Sequence, residues 1–193
     1  MIKEVTTMKF LGTKILETER LILRKVKDDD YITAFYEWSN DPSQVLYTIH
    51  GVHNSIEDTK ELFDKWIKQS NEDKTFRWMI TLKDTNEFIG VINAESSFAK
   101  YDTEDIGYTI GKKYWNKGYA SEALKAVIKY LFEECEVETI CAEHMEDNVA
   151  SGKVMQKSGM KLDGVLRKRC VARTGKRQNI MCYSILKDEY FNG

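Results

Sequence analysis

Apolar and polar positions change period several times along the chain, and each change marks an element. Leu21-Ile22-Leu23-Arg24-Lys25 reads as a short first strand. The acidic triplet Asp28, Asp29, Asp30 then offers an N-cap and favourable charge to a helix carrying Ile32, Phe35, Tyr36 and Trp38, which Asn40-Asp41-Pro42-Ser43 ends. Ser55 and Asp58 have capping-box spacing, and Leu62, Phe63, Trp66 and Ile67 recur at helical spacing behind them. From Phe76 the period changes to that of strands. Runs at 76–82 and 88–92 flank a turn at Lys83-Asp84-Thr85-Asn86, the pattern of a hairpin. Ile106-Gly107-Tyr108-Thr109-Ile110 is another strand, ended by Gly111.

The next helix has the clearest stripe. Ala123, Leu124, Val127, Ile128, Leu131 and Phe132 share one face, with Lys125, Lys129, Glu133 and Glu134 off it. A short strand at 139–142 follows, then a compact helix opened by Asp147-Asn148 and closed near Ser158-Gly159. Two strands, around 162–171 and 180–186, end the pattern. The order is β, two helices, three strands, helix, strand, helix, two strands, which predicts one mixed α/β domain over 1–193.

Composition narrows the class. With 29 Lys+Arg against 31 Asp+Glu the net charge is -2, which argues against a dedicated nucleic-acid binder. Hydrophobic residues at 42% and charged residues at 31% exclude an extended disordered chain, and no apolar run is long enough to suggest a membrane span. Met1 to Lys14 shows no secretory-signal pattern. Cys135, Cys141, Cys170 and Cys182 lack CxxC or Cys/His ligand spacing, so no metal site is expected and a reducing, cytoplasmic setting is. One proline against 11 glycines leaves chain reversals to Gly, Asn and Asp.

Chemistry concentrates between the strand at 106 and the striped helix. In Tyr114-Trp115-Asn116-Lys117-Gly118-Tyr119-Ala120-Ser121-Glu122-Ala123, a glycine-containing turn enters a helix N-terminus, where unpaired N–H groups and the dipole suit phosphate oxygens. Taken alone, the turn serves equally as a plain helix cap. It is neither the dinucleotide fingerprint nor a Walker loop.

This run, with Ile106-Gly107-Tyr108 before it, resembles the acetyl-CoA signature of the GNAT superfamily of N-acetyltransferases, nearest the branch of the ribosomal-protein N-terminal alanine/serine acetyltransferases. Asn148-Val149-Ala150-Ser151 … Val154 … Lys157-Ser158-Gly159-Met160 resembles a second element of that branch. Gly164-Val165-Leu166-Arg167 with Tyr183-Ser184-Ile185-Leu186 resembles a third, and Thr18-Glu19-Arg20-Leu21-Ile22-Leu23-Arg24 the opening. The matches keep order and spacing from about 18 to 190.

The resemblance implies a single mixed, mostly antiparallel sheet flanked by helices. It implies that backbone at Tyr108, Thr109 and Ile110 bonds pantetheine, and that amides of Asn116, Lys117, Gly118, Tyr119, Ala120 and Ser121 hold the pyrophosphate. Asn148 and Ser151 then meet the pantetheine and the thioester. It also implies a homodimer. Three departures stand out. Trp115 replaces the usual Gln or Arg, Asn116 replaces a glycine, and Met155 stands where many members have a proton-donating tyrosine. Ser151, one helical turn earlier, is the nearest hydroxyl for the leaving thiolate.

An amine nucleophile must lose a proton, and Glu95 on a strand edge and Asp105 just before the Ile106 strand are the candidate bases. His144 either faces the site or is structural; Tyr183 is either catalytic or core. Trp38, Tyr47, Phe63 and Trp66 are core residues or, by family analogy, the wall of an acceptor cleft. The basic stretch from Lys161 to Arg177 reads as a rim for the CoA 3′-phosphate or a ribosomal partner, or as a solvated hairpin tip at Arg173-Thr174-Gly175-Lys176. The function expected is direct acetyl transfer from acetyl-CoA to a primary amine, either a protein N-terminus, such as that of a ribosomal protein, or a small molecule. The competing readings are an acyl-CoA sensor without catalysis and a partner-binding domain without a CoA site.

Overall fold

The computed structural model describes residues 8–47, 51–98 and 102–193, with side chains at 97 and 98 excepted. The first seven residues of the segment read for a secretory signal lie outside this set. Eight strands form one sheet in the order β1-β2-β3-β4-β5-β6-β8-β7. They are β1 (Leu16–Glu17), β2 (Leu21–Arg24), β3 (Phe76–Leu82), β4 (Phe88–Phe98), β5 (Thr103–Ile110), β6 (Thr139–Met145), β7 (Lys161–Val171) and β8 (Arg177–Leu186). The helices are α1 (Asp30–Ala34), α2 (Ile56–Gln69), α3 (Tyr119–Glu133), α4 (Val149–Lys157) and α5 (Lys187–Asn192). Neighbouring strands pair antiparallel except β5 with β6. The expected mixed, mostly antiparallel sheet with flanking helices is what the chain forms.

Strand alternation divides the core between two faces. Trp78, Ile80, Ile92, Ala94 and Ile106 pack with Ala123, Leu124, Val127, Ile128 and Leu131 of α3. Met79 and Val91, one residue out of phase, pack with Ala34, Trp38 and Phe63 beneath α1 and α2. Covering on both faces explains why β3 is buried at nearly every position rather than alternating.

Several expected elements change. The acidic triplet does not cap α1 through Asp29, which makes no side-chain bond. Asp30 instead accepts both Arg24 Nη1 and Nη2, at 2.8 and 2.7 Å, and the Lys27 amide at 2.7 Å. Helix α1 is short and passes into a π-helical turn, Phe35–Ser39, which leaves Tyr36 exposed and Trp38 buried. The Ser55–Asp58 capping box of α2 forms as expected. Strand β4 runs on to Phe98 and β5 begins at Thr103, so Asp105 lies inside a strand rather than before one. The two-residue β1 and the terminal α5 are additions. The hairpin tip is docked rather than purely solvated, because Arg173 Nε donates to the Val45 carbonyl at 3.0 Å.

The middle of the sheet is only partly paired. β5 and β6 pair only over Thr103↔Thr139, Glu104↔Ile140 and Asp105↔Cys141, although both strands continue. Beyond Asp105 they part, leaving a wedge in the middle of the sheet.

Candidate active site

The backbone along the wedge is polarised by strand geometry. Gly111 N donates to Ile89 O at 2.9 Å, so odd-numbered groups of β5 turn toward β4. Even-numbered groups turn toward β6; the Asp102 carbonyl accepts from Glu138 N at 2.9 Å in this sense. Ile106, Tyr108 and Ile110 therefore present backbone groups to the wedge. By the same parity the Thr109 backbone faces β4. At Ile110 the carbonyl is taken by the Trp115 indole N–H at 2.6 Å, leaving its amide toward the opening.

Below the wedge, α3 begins in a turn whose two left-handed residues are Asn116, φ 60°, and Gly118, φ 84°. Asparagine thus holds the conformation for which the resemblance expects glycine. The first helical bond runs from Glu122 N to Gly118 O at 3.0 Å, so the amides of Tyr119, Ala120 and Ser121 have no helical acceptor. Glu19, Gly118, Ser121, Glu122 and Lys125 line a shallow depression of about 280 Å³ here. Arg20 braces the turn from the β1–β2 connection, donating to the Lys117 carbonyl at 3.0 Å and to Glu122 through Nε at 2.7 Å. In the sequence Arg20 is only part of the opening motif, and no local pattern marks it as a brace for a turn 97 residues away.

Helix α4 supplies the other wall. Asn148 is its N-cap and accepts from Ser151 N. Ser151 lies on the wedge side, where Tyr108 Oη is 2.8 Å from its Oγ and 3.0 Å from its carbonyl. Met155, one turn further, is 1% exposed and belongs to the core, and its thioether has no proton to donate. His144 lies under α4 rather than in the opening. Its Nδ1 is bonded to the Met145 carbonyl at 2.8 Å, its ring stacks on Tyr183, and its Nε2 is directed at Gly152. Tyr183 is buried and receives Gln156 Nε2 at 3.2 Å.

The opposite face of the sheet carries carboxylates at the wedge apex. Glu95 and Asp105 are direct cross-strand partners, and Asp105 is the last residue of β5 paired with β6. Asp105 is partly buried, whereas Glu95 is 64% exposed and lies 4.0 Å from Arg77. Arg77 stacks on Trp66 at 4.7 Å, which brings α2 to the rim of this face. Cys141 is the partner of Asp105 across the apex. Burial, then the Asp105 and Asp163 carboxylates, push its thiol up to about 11. That is the reverse of what a nucleophilic cysteine needs. Among the described residues, no group of three or more His, Cys, Asp or Glu side chains could hold a metal ion, and no helix is long and apolar enough to cross a membrane.

The class is set by comparison as well as by this geometry. Residues 20–161 match the family model described as "Acetyltransferase (GNAT) domain". The chain belongs to the GNAT acetyltransferase family and is an N-acetyltransferase. It is 34% identical over 173 residues to the uncharacterized N-acetyltransferase YoaA of Bacillus subtilis, covering 90% of this chain and 97% of that one. A GNAT-family acetyltransferase crystal structure from Bacillus anthracis superposes with a TM-score of 0.79 at 30% identity, covering 91% of this chain and 99% of the other. The Escherichia coli enzyme that acetylates an alanine of ribosomal protein uS5 is 26% identical over 156 residues, covering 77% and 79% of the two chains.

Proposed function

We propose that the wedge binds acetyl-CoA and that the acetyl group passes directly to a primary amine arriving from the α1–α2 face. The observation that carries this reading is the pairing of two unfilled hydrogen-bonding surfaces. The α3 amides at Tyr119, Ala120 and Ser121 suit a diphosphate. The open edge at Ile106, Tyr108 and the Ile110 amide suits the peptide-like pantetheine arm, which adds to it like a strand. The amides of Asn116, Lys117 and Gly118 in the same turn join this cradle, and Asn148 orients the first turn of α4.

Asp105, at the apex and partly shielded from water, takes the amine proton, with Glu95 beside it as the second carboxylate. Direct attack needs a neutral amine, since an ammonium has no lone pair. Ser151 donates a proton to the departing thiolate. A covalent route through Cys141 is disfavoured because its thiol, raised to about 11, stays protonated at neutral pH. The likeness to the uS5-alanine acetyltransferase supports a peptide N-terminus beginning with alanine or serine as the acceptor. The test is steady-state CoA release with short peptides of free N-terminal Ala or Ser against polyamines and amino sugars. Release stimulated by the peptides is expected. Binding of acetyl-CoA with no amine-dependent release would make the protein a sensor, a role that the burial of Met155 leaves open to a site without its usual acid.

A further inference from the structure

The Tyr108–Ser151 contact crosses the wedge from β5 to α4, between residues 43 apart in sequence. A serine hydroxyl carries one proton. If it gives that proton to a leaving thiolate, an alkoxide remains unless another donor follows. Both Ser151 and Tyr108 are partly buried; the phenol lies 2.8 Å from Ser151 Oγ, where either oxygen can donate, and 3.0 Å from the Ser151 carbonyl, which accepts from it, so a small rotation of the phenol proton moves it between the two. Met155 offers nothing at the position one turn on.

We propose that Tyr108 is a positioning and proton-supplying residue that acts through Ser151. As the amine nitrogen bonds to the acetyl carbon and the carbon–sulfur bond breaks, the sulfur takes the Ser151 proton. Ser151 Oγ takes the Tyr108 proton in the same movement, and the tyrosinate is reprotonated by water after the products leave. No oxidant or further reactant enters. Burial pushes the phenol up to about 12, an effect that its bond to Ser151 reduces, so Tyr108 holds its proton across the neutral range. The Ser151 amide is held by Asn148, which fixes the first turn of α4 and with it the place of the hydroxyl beside Tyr108.

This inference rests on the assignment of Ser151 made above, and the two fail differently. Ser151→Ala, Tyr108→Phe and the double variant are compared in CoA release with the acceptor that stimulates wild type. Expected are a loss in kcat of about 100-fold for Ser151→Ala and at least about 10-fold for Tyr108→Phe, with KM for acetyl-CoA within about twofold. The double variant should be no slower than Ser151→Ala, as for residues acting in one chain. Full turnover in Ser151→Ala would overturn the Ser151 assignment and the relay with it. A slow Ser151→Ala beside an unaffected Tyr108→Phe would overturn the relay alone. So would multiplicative losses, or a Tyr108→Phe change confined to KM, which marks a strut. Replacement of Tyr108 by 3-fluorotyrosine keeps the shape and makes the phenol more acidic. The alkaline limb of kcat should then move to lower pH, and an unmoved limb would contradict the relay even if Tyr108→Phe failed to fold.

Discussion

Arg20 clamps Glu122 at two points. Its backbone amide donates to Oε1 at 2.9 Å, and its guanidinium meets Oε2 at 2.6 Å. Thr18 adds a third bond, to Oε1 at 2.6 Å. Burial raises the Glu122 carboxyl, but these bonds outweigh it and hold the group below its usual value. The clamp joins the β1–β2 connection to the first turn of α3 and cancels a negative charge beside the depression proposed to take the diphosphate.

Arg20→Ala is therefore expected to weaken acetyl-CoA binding by roughly 10-fold, through the uncompensated Glu122 charge and the loosened Lys117 carbonyl. Adding Glu122→Gln should recover part of the loss. Titration calorimetry at two salt concentrations checks both points, the single variant showing the larger salt dependence.

Gly152 is a packing glycine. A Cβ there would stand 2.6 Å from His144 Nε2, and the ring is fixed by the Met145 carbonyl and by Tyr183. Alanine favours the helix by up to about 1 kcal/mol, but overpacking costs about 1–3 kcal/mol. Gly152→Ala should accordingly lower stability, and in a His144→Ala background the same change should be neutral or favourable. Urea unfolding of the four proteins decides the sign.

Glu104 gives a pH dependence whose sign follows from its burial. The side chain is fully buried and accepts from Ser96 Oγ, and its Oε2 has no partner. Burial pushes it up to about 7; the Ser96 bond opposes this, and Asp105 and Glu95 add to it. The unfolded chain loses this proton near its ordinary value while the folded chain keeps it. The contribution to stability is thus fully present below about pH 4.5 and lost as pH rises through 7, on the order of 3 kcal/mol in all. Thermal melts from pH 5 to 8 should fall in wild type and flatten in Glu104→Gln. An equal slope in both would assign the dependence elsewhere.

Much of this site is legible in the sequence because its motifs are local. The turn at Asn116 to Gly118 and the cap at Asn148 are set by neighbouring residues, and Asn116 takes the left-handed backbone that its substitution for glycine requires. The two-residue Leu16–Glu17 has no alternation to read, and what anchors the start of α1, the Arg24–Asp30 pair, lies across elements rather than in a local cap. The parity of β5 could have been read. Ile106, Tyr108 and Ile110 share a face, which sends the Tyr108 ring toward α4 and the Thr109 backbone to β4. What that ring meets depends on where β6 and α4 lie, and no single-strand pattern encodes it.

The most direct measurement is acetyl-CoA binding to wild type and Gly118→Val. Gly118 sits at φ 84°, where a β-branched residue is strained, and it is exposed, with only Arg20 Nη2 at 3.4 Å near an added Cβ. Wild type should bind at one site, and Gly118→Val should bind at least about 50-fold more weakly with an unchanged far-UV spectrum and cooperative melt. Equal affinity in the two proteins would contradict a cofactor turn at the start of α3.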